Sequence, residues 1–342
     1  MAIRMPSQRK LQYFDTRTDG SEAVSNDSYT QLGSGGVGGH FNLVKDLSLL
    51  NRYGLAHTTR DGTPLVYRVR VTLNGQTWAG TGAATAGFAG NDSFTTLKID
   101  GAQNTWVMKE ASKAFHMARE KMFADAGVKK GDRGAYSHTI RYNYDGGGDV
   151  FVVPVDGDGN AFTGGTWDAS QLTYADDTSF QLGLVGNGDD QETDSFAGTY
   201  LSIGHAYLLS RKNQLADTNP EMTESPAKYS VLQRMLAPGD SLTGTAYRDS
   251  NVRGRARTEQ DNPPYEVLDI SDSGDIQHDV SEPVELGRLT VGGADGYTGS
   301  MVIDVPFGIM DAKAVHYSQA DDSEVFAPTW SVELLKISEM TG

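Results

Sequence analysis

Residues 64–73 read PLVYRVRVTL, and these ten residues decide the fold class. Tyr67, Val69 and Val71 alternate with Val66, Arg68 and Arg70, the two-residue period of a strand with one dry face and one wet face. Branched and aromatic side chains suit the pleated conformation, and Gly75 ends the run. Outward from this stretch, shorter runs of the same kind recur. They lie at 95–99, at 136–144 and 150–155 as a pair across Asp145-Gly-Gly-Gly, and at 180–185 and 199–210. Beyond them lie 241–247, 265–270, 284–291, 300–305, 314–317 and 330–337. Clusters of Gly, Pro, Asp or Asn bound each one, and many short strands so punctuated predict sandwiches or barrels.

The long exception is residues 106–127, WVMKEASKAFHMAREKMFADAG. Ala111, Phe115, Ala118, Met122 and Ala126 recur every three or four residues, the spacing of one helix face, and Ala114 widens it. Lys109, Glu110, Lys113, Glu120 and Lys121 fall mostly elsewhere. Gly127 stands where a left-handed cap is wanted, with Lys129 and Lys130 beyond it, while no good N-cap precedes Lys109. A helix over 107–127 is predicted. A shorter one is predicted over Leu43–Tyr53, and another over Tyr229–Leu236.

The chain has 342 residues and a net charge of −16, from 29 Lys and Arg against 45 Asp and Glu. Such a chain repels bulk nucleic acid and anionic lipid unless its charge is locally sorted. It has no cysteine, which excludes disulfides, thiolate metal sites and a cysteine nucleophile. No apolar run approaches the roughly 18 residues of a membrane-spanning helix, and the N-terminus lacks the apolar core of a secretory signal. Its 40 glycines point to many tight turns. Three parts are expected: an N-terminal arm (1–39), a first β-sandwich with an inserted helix (40–217), and a second β-sandwich (218–342). Thr218–Pro226, with two prolines, is the linker.

No motif names a chemistry. Gly239-Asp240-Ser241-Leu242 spells a hydrolase signature, Asp275 and His278 have the form of its triad partners, and Gly90-Asn91-Asp92 echoes a further block. The order is wrong for that family, because the Asn-Asp block precedes the serine and too little chain separates Ser241 from His278. Gly33, Gly35 and Gly38 have dinucleotide-loop spacing, but SNDSYTQ in front of them is no buried strand, so GSGGVGG reads as a hinge into the short helix. Asp156, Asp158 and Asn160 resemble the start of a calcium loop, although Ala161 and Trp167 occupy positions that need Gly and Glu, so a hairpin turn is expected. Asp189, Asp190, Glu192 and Asp194 form an acidic loop. His116 and His205 are isolated. Arg4, Arg9 and Lys10 make a small basic arm and Arg253, Arg255 and Arg257 a basic knot, each a candidate contact with a neighbouring subunit or an inner surface. Trp78, Trp167 and Tyr174 are placed as stacking residues for a sugar. No catalytic residue and no cofactor are expected.

In length, strand-rich halves, interrupting helix and acidic, glycine-rich, cysteine-free composition, the chain resembles the double jelly-roll major capsid proteins of tailless icosahedral viruses. The resemblance rests on pattern over most of the chain, so no functional residue is carried over from it. It implies two upright sandwiches per chain, a trimeric capsomer, contacts with copies of itself and with other virion proteins, and in many such shells an internal membrane. It places the protein in the virion, with little direct binding of nucleic acid. Met1–Gly39 would face inward or bridge subunits, and the loops at 80–91 and 156–167 would point outward or between capsomers. A β-sandwich adhesin or carbohydrate-binding phage spike is the alternative reading, and the hydrolase a third.

Overall fold

In the computed structural model, described residues are 5–14, 30–31, 38–74, 77–79, 94–134, 137–145, 151–154, 162, 167–173, 179–186, 200–215, 282–292, 298–317, 324–326 and 329–341. The chain begins with β1 (Lys10–Phe14), β2 (Thr30–Gln31) and β3 (Gly38–Asn42), followed by α1 (Leu43–Asn51). Then come β4 (Leu65–Asn74), β5 (Thr77–Ala79), β6 (Phe94–Gly101) and α2 (Trp106–Asp125). β7 (Gln171–Thr173), β8 (Ser179–Gly183) and β9 (Tyr200–Ser202) precede α3 (Ile203–Leu215). The last five strands are β10 (Val284–Gly292), β11 (Thr298–Pro306), β12 (Ile309–Tyr317), β13 (Glu324–Phe326) and β14 (Thr329–Glu339). The protein is mainly β, with helices interrupting the strands as expected.

Two sheets make a sandwich. One runs β1-β14-β4-β11; the other runs β10-β6-β12, with β2 and β3 both on β12. β4 sits in the first sheet with Tyr67, Val69, Val71 and Leu73 buried, and the alternation of PLVYRVRVTL is the reason. Its other face is polar: Arg68 makes two bonds to Asp304 (2.7 and 2.8 Å) and Arg70 reaches Glu333 (3.1 Å), each across to its register partner. Opposite-charge pairs in register favour this pairing over a one-residue slip. Between the sheets Tyr13, Phe41 and Trp330 pack ring to ring, Phe41 standing edge-on to both Tyr13 (4.9 Å) and Trp330 (4.5 Å).

β10 to β14 belong to the half that was expected to form a second sandwich. They hydrogen-bond instead to β4, β5 and β6, so the sandwich is shared by the two halves. The expected boundary at 218 lies outside the described residues, as do the strands expected at 241–247 and 265–270 and the helix at 229–236. The arm expected over 1–39 also needs correction. Lys10–Phe14 pairs antiparallel with β14 and buries Leu11 and Tyr13, so part of it is an integral strand. Short alternation, KLQYF, is the physical cause, and a terminal position hid it.

A second core lies beside the sandwich. Phe115, Ala111 and Ala118 of α2 pack with Ile203, Ala206 and Leu208 of α3, with Leu172, Phe180 and Leu182 of the β7-β8-β9 sheet, and with Tyr142. Helix α2 matches its prediction closely, but its cap was missed: Thr105 accepts the Met108 N–H, and the helix starts at Trp106. Ala126 is exposed, and Gly127 takes φ 72° at the end. Of the strand expected over 199–210 only Tyr200–Ser202 is extended, as β9, and among the described residues neither member of the pair expected at 136–144 and 150–155 is a strand. Residues 203–215 are helical because Ile203, Ala206, Tyr207 and Ser210 bury one helical face, whereas a dense apolar run reads equally well as a strand. Residues 137–145 do not pair with 151–154; they lie along β8, where Asn143 N–H donates to Leu182 O (2.9 Å). Ile140, Tyr142 and Tyr144 fill the second core instead.

The corner Phe307–Gly308 joins the two cores. Both residues have positive φ, 58° and 68°. A Cβ on Gly308 would lie 2.8 Å from Val44 and 2.9 Å from Tyr67, so only glycine fits. The corner sends the chain from β11 in one sheet to β12 in the other, and it buries the Phe307 ring edge-on against Tyr142 at 5.2 Å.

Candidate functional site

A cavity of about 440 Å³ opens where α1, the loop after it and the segment around Arg141 meet. Its cations are Lys45, Arg52 and Arg141, and no carboxylate lines it among the described residues. This is local charge sorting in a chain of net −16. Apolar and aromatic side chains, Leu49, Leu55, Val153 and Trp167 among them, make up much of the remaining wall.

Each element has a local reason for its place. Helix α1 starts at Asn42, whose side chain accepts the Lys45 N–H at 2.9 Å. It ends at Arg52, which takes the left-handed conformation (φ 54°) where glycine is the usual occupant. The loop that follows turns back on itself, with Thr59 N–H to Thr63 O (2.8 Å) and Leu65 N–H to His57 O (2.9 Å). It docks on α2 through Ser112, which donates to Gly62 O at 2.9 Å and lies 3.0 Å from the Tyr142 hydroxyl. Gly62 (φ 85°) is forced, since a Cβ there would stand 2.5 Å from His116 Cβ. Arg141 and Ser170 bond in both directions, Arg141 N–H to Ser170 Oγ (3.0 Å) and Ser170 N–H to Arg141 O (2.8 Å), which holds the Arg141 and Trp167 segments together. The Arg141 guanidinium lies 5.7 Å from the Trp167 ring.

His57 is the buried polar centre of this wall. Its Nδ1 stands 2.6 Å from Phe307 O, so Nδ1 carries the hydrogen and Nε2 is left as an acceptor. Nε2 has no partner, nor have Nε of Arg141 and Nε1 of Trp167. Burial lowers the His57 pKa to about 4, so the ring is neutral at pH 7. On the opposite side of α1, Asp46 is buried in the sandwich and accepts a 2.7 Å bond from the Tyr13 hydroxyl. Burial raises its pKa to about 7, although the Tyr13 bond pulls it down.

The residues singled out in the sequence fall mostly elsewhere. Arg9 and Lys10 lie at the start of β1, where Arg9 O accepts the Leu334 N–H and Lys10 pairs in register with Glu333. Arg4, Arg253, Arg255, Arg257, Asp156, Asp158 and Asn160 lie outside the described residues, as do Ser241, His278 and the acidic loop. Gly38 lies in β3, with the rest of that strand between it and α1, and Gly33 and Gly35 lie outside the described residues. His116 is buried against the Gly62 loop. Among the described residues no cluster of carboxylates and imidazoles is placed to hold a metal ion. Of the expected sugar-stacking residues, Trp167 lines the cavity. The sequence reading missed Lys45, Arg52, His57 and Arg141. None belongs to a motif, and a lone His or Arg in a loop gives no periodic signal.

Comparison with family models, curated proteins and solved structures finds no match to this chain.

Proposed function

We propose that this chain is a structural protein that assembles with copies of itself, of the kind that builds an icosahedral viral coat. The observation that supports the reading best is the ribbon beyond the sandwich. β5 and β13 prolong the paired strands β4 and β14, with Thr77 opposite Phe326 and Ala79 opposite Glu324. Among the described residues these two strands pair only with each other. A two-stranded ribbon is marginal in water by itself, and its open edges are templates for another strand. A neighbouring copy supplies that strand without any new chemistry. The expected capsomer is a trimer, the expected location the virion, and the expected contacts are other virion proteins and, in a lipid-containing shell, an internal membrane.

Light scattering across protein concentration and salt, with negative-stain images of the same sample, tests this. Trimers, lattices or shells are expected. Trp78→Lys puts a charge in β5 and is expected to shift the mass toward monomer with the circular dichroism unchanged. A wild-type protein that stays monomeric at high concentration overturns the proposal. One observation favours the alternative reading, a carbohydrate-binding protein: Trp167 lines a cavity. Glycan-array binding by a monomer would select it.

A further inference from the structure

We infer that the cavity between α1 and the Arg141 segment is a binding site for a small amphiphilic anion, a phosphate or carboxylate head on a flat apolar body. This goes beyond the assembly reading and holds whether or not the chain self-associates.

Size sets the class first. A volume of about 440 Å³ falls in the range of small-molecule pockets, roughly 300–1,000 Å³. Charge sets the head group. Lys45 and Arg52, from α1 and its C-terminal cap, and Arg141, from a distant segment, line one space, and among the described residues no carboxylate lines it with them. Several arginines elsewhere in the fold find acids: Arg68 takes Asp304, Arg70 takes Glu333 and Arg133 takes Glu120 (2.6 Å). Cations lining one space favour an anion entering it. Arginine suits a planar oxyanion because its fork donates two parallel bonds. The walls set the body. Trp167 offers a ring face beside Leu49, Leu55 and Val153. A neutral sugar fits less well, because among the described residues no amide or carboxylate side chain lines the cavity, and His57 Nε2 is a single acceptor for several hydroxyl hydrogens.

Two further observations point to a ligand. His57 is fully buried, lines the cavity and keeps Nε2 without a partner; Arg141 Nε and Trp167 Nε1 share that condition. Arg141 Nε and Trp167 Nε1 are donors that an oxyanion can satisfy, whereas His57 Nε2 is an acceptor that an oxyanion leaves unpaired. The backbone is strained at the same place. Among the described residues, Arg52 and Phe307 are the two non-glycines with positive φ. Arg52 lines the cavity, and the Phe307 carbonyl orients His57. Strain of this kind gathers at ligand sites, where the surrounding structure holds it in place.

The test separates head from body. Phenyl phosphate and benzoate carry both, inorganic phosphate only the head, and phenol only the body. Calorimetric titration is expected to give saturable binding of phenyl phosphate or benzoate, with the preferred one naming the head group. Inorganic phosphate and phenol are expected to bind at least about tenfold more weakly. Arg141→Gln and Arg52→Gly are each expected to weaken the preferred ligand about tenfold or more, the affinity change that one charge-assisted contact typically controls. Arg52→Gly places glycine where the backbone already favours it, so a folded variant is available even if Arg141→Gln fails to fold. Absence of saturable binding by phenyl phosphate and benzoate up to about 10 mM, below any specific affinity, overturns the inference. So does phenol binding as tightly as phenyl phosphate, inorganic phosphate binding as tightly as both, or undiminished binding by Arg52→Gly.

Discussion

The sandwich and the junction around His57 handle polar groups in opposite ways. On the outer face of the sandwich, charges are matched in register: Arg68 to Asp304 and Arg70 to Glu333. Its core is mainly apolar; the polar groups buried there include Asp46, paired to Tyr13 through one oxygen, and Asp100, held by Lys98. The junction holds a neutral histidine on a strained corner, an arginine in a left-handed cap and three buried polar atoms without partners. The matched outer face is what stability alone selects. The junction's arrangement costs stability, which argues that the junction is kept for a task and the sandwich for support.

Phe307→Ala attacks the comparison at its most expensive point. The ring is fully buried in the second core, while its backbone forms the corner between the sheets. A loss of about 4 kcal/mol in urea unfolding is expected from cavity formation. The transition should stay single, since the corner ties both cores together. Two separated transitions would mean that the sandwich and the helical layer unfold independently, and the junction would then be a linker.

Acid titration sharpens the contrast, because the two regions respond with opposite sign. His57 has a folded pKa of about 4 against 6.5 unfolded. The unfolded chain therefore binds more protons between these values, and the stability contribution present above pH 6.5 is lost as pH falls to 4. The change is on the order of 3 kcal/mol. Asp46 has a folded pKa of about 7 against 3.8 unfolded. There the folded chain binds more protons, and the contribution present below pH 3.8 is lost as pH rises to 7, by on the order of 4 kcal/mol. His57→Asn keeps a donor for Phe307 O and should lie furthest below wild type near pH 7. Asp46→Asn should do so near pH 4. Chemical denaturation of the three proteins across pH 4 to 7 measures both. Parallel curves would show that neither group titrates with folding, and the two regions would no longer differ in this respect.

The same division governs what the sequence made legible. Strand β4 was readable because Tyr67, Val69, Val71 and Leu73 all face one core, and α2 because its apolar face repeats every three or four residues. Periodicity survives wherever a segment buries one side. It fails for α3, where apolar residues are too dense to choose a period, and for 137–145, whose Ile140, Tyr142 and Tyr144 alternate like a strand yet fill a core. Sheet pairing was not legible at all: that β14 lies between β1 and β4 depends on contacts across most of the chain. The cavity was the least visible part. Trp167 was picked out as a stacking residue, but Arg52, His57 and Arg141 come together only through the Gly62 loop, the Phe307 corner and the Arg141–Ser170 bonds. No spacing in the sequence encodes that meeting.

The smallest expected effect is the most discriminating. Arg52 holds φ 54° at the end of α1, a conformation that disfavours a side chain by about 1–2 kcal/mol. Glycine removes that strain. It also frees the unfolded chain, a loss of roughly 0.5–1 kcal/mol, and gives up the cation at the helix C-terminus, roughly 0.3–1 kcal/mol. The sum is near zero, so Arg52→Gly should match wild-type stability within about 0.5 kcal/mol by urea unfolding. Arg52→Ala keeps the strain and loses the charge, so it should fall below the glycine variant. If glycine instead destabilises by more than about 1 kcal/mol, Arg52 is a structural cap and the junction loses one of the features that sets it apart from the sandwich. If it is neutral while binding of the anionic probe falls, the side chain is there for what enters the cavity, because nothing in the helix needs it.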